Sequence, residues 1–126
     1  MNNVKFYVCS VCGNVVEKVV DKGVPVMCCG KKMEELIPNT VEASGEKHKP
    51  VVKVENGKVI VNVGSVNHPM LDEHRIDWIL LCTENGRYRK ELKPGQAPEA
   101  EFIIGDEKPV AAYAYCNLHG LWMTEI

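Results

Sequence analysis

This chain lacks long apolar runs and basic runs. No stretch of its 126 residues approaches the roughly 18 apolar residues of a membrane-spanning helix. Lysine and arginine number 15 against 17 aspartate and glutamate, and they form no rich tract, so neither nucleic acid nor a membrane is an expected partner. The segment Met1–Cys9 has no apolar core of a secretory signal, which makes the cytoplasm the expected compartment. No long segment repeats its apolar residues at helical spacing, and there is no internal repeat. Cysteine and histidine are also scarce, at six and four residues.

Nine of those ten residues fall into two groups. Cys9, Cys12, Cys28 and Cys29 lie near the N-terminus; His48, His68, His74, Cys116 and His119 are spread over the remainder, and Cys82 is left over. In a reducing compartment clustered cysteines are metal ligands before they are disulfides.

Residues 1–37 form the first expected domain. They hold four cysteines and few large apolar side chains, so a metal is needed to stabilise them. Phe6–Val8 leads as a strand into Cys9-Ser-Val-Cys12-Gly13, a knuckle whose backbone amides can face a thiolate. Val15–Val20 is a second strand, and residues 31–36 are expected to form one helical turn. Four thiolates make a tetrahedral site for zinc or mononuclear iron, and spacing does not choose between them. The adjacent pair Cys28-Cys29 is unusual: neighbouring α-carbons are about 3.8 Å apart and their side chains tend to diverge, so one metal is reached only with distortion. A structural zinc knuckle is the plainer alternative.

Residues 38–126 form the second expected domain. After linker and loop segments at 38–46, the pattern is β. Strands at 51–55 and 58–63 flank Asn56-Gly57, a hairpin signal, and Asn85-Gly86 is a second. Ile76, Trp78, Leu80 and Cys82 alternate on one expected strand face, which makes Cys82 a buried apolar residue. Strands at 87–92, 102–104, 110–116 and 121–126 bring the total to about seven, an immunoglobulin-like sandwich in a mainly β chain.

The four histidines and Cys116 sit at strand ends or in loops, where side chains can converge on one rim. Four imidazoles and a thiolate exceed what structural zinc uses and suit a redox metal with an open position. Beside such a position Lys47 would attract an anion, and Glu46 would ligate the oxidised metal; the plainer reading of both is solvated loop charge.

Together these motifs resemble a known family. Cys9-x-x-Cys12 with Cys28-Cys29 is similar to a desulforedoxin-type iron site. Glu46-Lys47-His48, Gly64-Ser-Val-x-His68-Pro69-Met70, His74-x-Ile-x-Trp78 and Cys116-Asn-x-His119-Gly120 resemble a superoxide reductase domain. In this order they resemble the desulfoferrodoxin family of two-iron superoxide reductases over nearly the whole chain. The resemblance implies two mononuclear irons per chain. The four cysteines would hold one; the four histidines, with Cys116 as axial thiolate, would hold the catalytic one. Glu46 would be the sixth ligand of its ferric resting form, and Lys47 would guide superoxide. The implied reaction takes superoxide, one electron and two protons to hydrogen peroxide without releasing oxygen. A rubredoxin-like electron donor and a homodimer are further implications. The competing expectation is a rubredoxin-type iron electron carrier without catalysis; a zinc-ribbon interaction module is a third.

Overall fold

A computed structural model describes residues 4–126. They fall into two compact units, one ending at Ile37 and the other running from Pro38 to Ile126. The chain is mainly β, with a cysteine knuckle in one unit and a β-sandwich in the other, as its patterning predicts. Among the described residues no helix is long and apolar enough to cross a membrane.

The first unit contains β1 (Phe6–Val8), β2 (Val15–Glu17), β3 (Met27–Cys28), β4 (Lys31–Lys32) and β5 (Glu34–Leu36). Strand β1 is central, with Tyr7 opposite Val16 of β2 on one side and Glu35 of β5 on the other. The helical turn expected at 31–36 is absent; that segment is β4 and β5. The cause lies just upstream. Cys29 (φ 52°) and Gly30 (φ 73°) are both left-handed, so they form a tight hairpin turn that places Cys28 opposite Lys31. The chain leaves that turn extended, and the Met33 amide bonds to the Val26 carbonyl at 2.8 Å.

The second unit begins with one turn of helix, α1 (Gly45–His48), where a loop was expected. Seven strands follow: β6 (Pro50–Glu55), β7 (Lys58–Val63), β8 (Ile76–Thr83), β9 (Arg87–Glu91), β10 (Glu99–Ile103), β11 (Pro109–Cys116) and β12 (Gly120–Glu125). They make a three-stranded sheet, β10-β7-β6, and a four-stranded sheet, β12-β11-β8-β9. Alternation along β7 sends Val59, Val61 and Val63 inward to zero exposure. They meet Ile79 and Leu81 of β8, Phe102 of β10, and Ala112 and Ala114 of β11 in one core.

Two turns share the dipeptide Asn-Gly but not the geometry. Asn56 (φ 32°) and Gly57 (φ 79°) are both left-handed, as a two-residue hairpin turn requires. A Cβ on Gly57 would stand 3.0 Å from the Gly105 carbonyl oxygen. Asn85 and Gly86 are not left-handed; there the Thr83 amide closes the turn on the Gly86 carbonyl at 3.0 Å.

Strand β8 departs from the expected single face. Trp78 pairs with Tyr115 but Ile76 pairs with Cys116, so Asp77 is an extra residue, a bulge. The slip lets Ile76 join Ile79 and Leu81 in the core while Trp78, Leu80 and Cys82 share the other face. Trp78 stacks there on Tyr115, with ring centroids 5.7 Å apart. Cys82 is fully buried, as expected. The bulge stands at the end of β8 nearest His74, where the second cluster assembles.

Candidate metal centres

The first cluster is built by two tight turns. Gly13, left-handed at φ 81°, closes the knuckle by donating its amide to the Cys9 carbonyl at 3.0 Å. This aims the amides of Val11 and Cys12 at Cys9 Sγ, each 3.4 Å away. The left-handed backbone at Cys29 costs a non-glycine residue roughly 1–2 kcal/mol. It redirects the Cys29 side chain, and the four sulfurs lie within 4.8 Å of one another despite the adjacency of two of them. Cys12 Sγ and Cys28 Sγ are 3.6 Å apart. That is close to the edge, about 3.8 Å, of a tetrahedron with sulfurs about 2.3 Å from a central metal.

These thiols do not ionise independently. The amides of Cys12 and Val11 bring Cys9 down to about 6. Hydrogen bonds with Cys12 and Cys9 raise Cys28, and bonds with Cys12, Cys9 and Cys28 push Cys29 up to about 12. Four sulfurs this close become thiolates together only around a cation, so the donor set fits a thiophilic metal.

The second cluster draws on four segments of the sandwich unit. His48 comes from α1, His68 from the loop after β7, His74 from the turn before β8, and Cys116 and His119 from the β11–β12 turn. Around the ring, centroid separations are 4.6 Å (His48–His68), 4.6 Å (His68–His74), 5.1 Å (His74–His119) and 4.9 Å (His119–His48). The diagonal from His48 to His74 is 6.4 Å. Four near-equal sides with a longer diagonal describe a square of imidazoles. Cys116 Sγ lies with the nitrogens of His48, His68 and His74 inside 4.8 Å, and 3.8 Å from His119 Nδ1. Cys116 is fully buried, His48 and His68 are buried, and His74 and His119 are half-buried.

Carbonyl partners assign the ring tautomers. His48 Nδ1 is 2.7 Å from the Ser44 carbonyl and His68 Nδ1 is 2.7 Å from the Pro69 carbonyl. A carbonyl only accepts, so each Nδ1 carries the hydrogen and each Nε2 presents a lone pair inward. Those two Nε2 atoms are 3.1 Å apart, and His119 Nδ1 is 3.1 Å from His48 Nε2. His74 Nε2 is buried with no hydrogen-bond partner among the described residues. Protonation does not relieve the crowding: burial holds His48, His68 and His74 below the ordinary histidine range, His68 at about 4. Facing lone pairs around a buried orphan nitrogen fit a cation at the centre. Burial raises the Cys116 thiol, so a metal is what makes it a thiolate.

Local structure explains why His48 reaches the square. A Cβ on Gly64 (φ 86°) would come 2.4 Å from the Val66 carbonyl and 2.7 Å from the backbone of Glu46 and Lys47. Only glycine lets α1 settle on the end of β7. The Glu46 carbonyl is then held by the Val66 amide at 3.0 Å and by the Ser65 hydroxyl at 3.2 Å. The Glu46 and Lys47 side chains are exposed. Lys47 is close enough for its charge to disfavour protonation of His48 and His74. Trp122 is a contributor that motif spacing does not reveal. It stacks on His48 at 4.9 Å and donates its indole hydrogen to the His119 carbonyl at 3.1 Å. The Ser44 and Pro69 carbonyls were equally invisible, because a backbone oxygen has no side-chain signature.

Known proteins share this arrangement. A family model described as Desulfoferrodoxin matches residues 40–125. A desulfoferrodoxin of Syntrophotalea carbinolica is 48% identical over 121 residues, covering 94% of each chain. A desulfoferrodoxin homolog of Archaeoglobus fulgidus is 46% identical over 118 residues, again covering 94% of each. The crystal structure of the superoxide reductase from Treponema pallidum superposes with a TM-score of 0.82 at 37% identity, covering 98% of this chain and 99% of that one. The four-cysteine group and the four-histidine, one-cysteine group correspond to the two iron centres of such proteins. The chain belongs to the desulfoferrodoxin family.

Proposed function

We propose that the protein is a superoxide reductase, forming hydrogen peroxide from superoxide, one electron and two protons. The observation that carries this reading is the square of four imidazoles with a buried thiol among them and an orphaned His74 Nε2. When bound there, iron supplies one-electron redox chemistry and a position for a small anion. His48, His68, His74, His119 and Cys116 would hold that iron; Cys9, Cys12, Cys28 and Cys29 would hold the other. Residues 1–37 are then the desulforedoxin-like domain and residues 38–126 the catalytic one.

The chain's own groups prepare the site. The Ser44 and Pro69 carbonyls keep two Nε2 lone pairs inward. The His119 amide donates to Cys116 Sγ at 3.4 Å and supports negative charge on the sulfur. The Lys47 ammonium, exposed beside the histidines, draws in the superoxide anion and hydrogen-bonds to it, while solvent near it delivers the protons. Glu46, two residues before His48 on α1, would be a further ligand to that iron in its oxidised form. The proposal extends to a homodimer, a rubredoxin-like donor and a cytoplasmic setting.

The decisive experiment mixes reduced protein with superoxide and quantifies peroxide and oxygen. Peroxide equal to the superoxide consumed, without oxygen, is expected. Oxygen release with half the peroxide means dismutation and sinks the proposal. Lys47→Ala should slow the encounter, with the deficit shrinking as salt rises; an unchanged second-order rate removes Lys47 from the mechanism.

A further inference from the structure

His74 is held differently from its neighbours in the square. His48 and His68 are each anchored through a ring nitrogen on a backbone carbonyl. His74 instead stands in a short turn closed by the Leu71 amide on the His74 carbonyl, 2.8 Å, and the reciprocal bond, 3.3 Å. Its orientation therefore depends on what holds that turn against the rest of the centre.

Asn117 makes that attachment with three hydrogen bonds. Its side-chain oxygen accepts the Arg75 amide at 2.8 Å. Its side-chain nitrogen donates to the Glu73 carbonyl at 3.0 Å. Its own amide donates to the Arg75 carbonyl at 3.1 Å. The two side-chain bonds end on the residues immediately before and after His74, so one carboxamide spans the backbone that carries the imidazole. Asn117 itself follows Cys116 and stands two residues before His119. An amide suits the task because one end accepts while the other donates. Aspartate keeps the acceptor and loses the donor; alanine loses both.

We infer that Asn117 is a positioning residue of the second centre, clasping the His74 turn to the Cys116–His119 turn so that three of the five donors move as one body. The inference rests on the proposed reading of these donors as an iron site. Outer partners of metal ligands commonly change affinity by about 10–100-fold when removed, and fixing the mutual placement of imidazole and thiolate also sets the metal's potential.

The test uses the full-length two-iron protein with Asn117→Ala and Asn117→Asp. Three quantities are followed: chelator-driven loss of iron from each centre, the reduction potential of the second centre, and hydrogen exchange of the Arg75 amide. In Asn117→Ala the second centre should lose iron about tenfold faster, its potential should shift, and the Arg75 amide should exchange faster, with the four-cysteine centre unaffected. Asn117→Asp should keep the Arg75 amide protected yet still release the second iron faster, because a carboxylate oxygen then faces the Glu73 carbonyl. A merely structural asparagine would lower the melting temperature and leave the potential of the loaded centre in place. Unchanged iron loss and potential in Asn117→Ala overturn the inference; should that variant not fold, the same result in Asn117→Asp overturns it. A wild-type protein that takes no iron at the histidines overturns the functional reading as well, whereas wild type and variants that hold it equally overturn only the role of Asn117.

Discussion

In the first unit the buried described residues are Phe6, Cys9 and Met33; in the second, thirteen buried residues form one core. One of the three is itself a member of the cysteine cluster. The knuckle therefore has little apolar burial to hold it together without its cation, and metal binding and folding are one event there. In the sandwich the order is reversed. Two sheets enclose aliphatic side chains, and the histidines hang from α1 and from turns and loops at the strand ends. Among the described residues only Cys116 belongs to both the core and the metal cluster. One unit is organised by its metal; the other is organised to receive one.

The most severe way to break this contrast is to remove the first metal. Cys28→Ser, or chelation of the four-cysteine centre, should unfold the segment through Ile37 while amides of Val59, Val61 and Val63 keep their protection from hydrogen exchange. A first unit that stays protected without metal would erase the distinction. The converse is a core truncation. Ile79→Ala should destabilise the sandwich by about 2–5 kcal/mol in denaturant titration, and in native buffer the four-cysteine absorption should be unaltered.

A smaller effect probes how the sandwich presents its donors. Gly64→Ala places a side chain at φ 86° and drives a Cβ into the backbone of α1. It should cost about 1–2 kcal/mol from the backbone alone, and by displacing His48 it should weaken metal at the second centre relative to the first. Equal retention at both centres would show that α1 does not depend on that glycine.

The smallest expected effect concerns acid stability. Glu107 accepts hydrogen bonds from the Tyr88 and Thr83 hydroxyls, which hold its carboxyl below the usual range. A carboxyl depressed in the folded state stabilises it above the unfolded value, about 4.3, and that contribution disappears as pH falls through the folded value. Glu107→Gln should flatten the acid limb of the sandwich's stability below pH about 4.3. A parallel limb in the variant would assign acid sensitivity to other groups.

Much of the β pattern is legible along the chain because alternation and turn residues are local. The strand at 58–63 reads as β from its sequence, and Asn56-Gly57 announces the turn before it. Asn85-Gly86 carries the same signal without the left-handed geometry, and there the Thr83 amide closes the turn on the Gly86 carbonyl. The bulge at Asp77 is likewise silent in sequence: it depends on how β8 registers against β11, a long-range pairing. The helical turn expected at 31–36 fails because the left-handed Cys29 and Gly30 turn the chain into a hairpin that leaves the following residues extended.

By itself the sequence singled out the candidate donors. Six cysteines and four histidines are too few to scatter without notice, and the types at each position follow from ligand chemistry, which is local to the side chain. Tertiary structure alone decided how those donors face one another. The left-handed Cys29 brings adjacent sulfurs together, the Ser44 and Pro69 carbonyls choose the imidazole tautomers, and Gly64 makes room for His48. These are backbone geometries and carbonyl contacts between residues distant along the chain, and no side-chain identity encodes them.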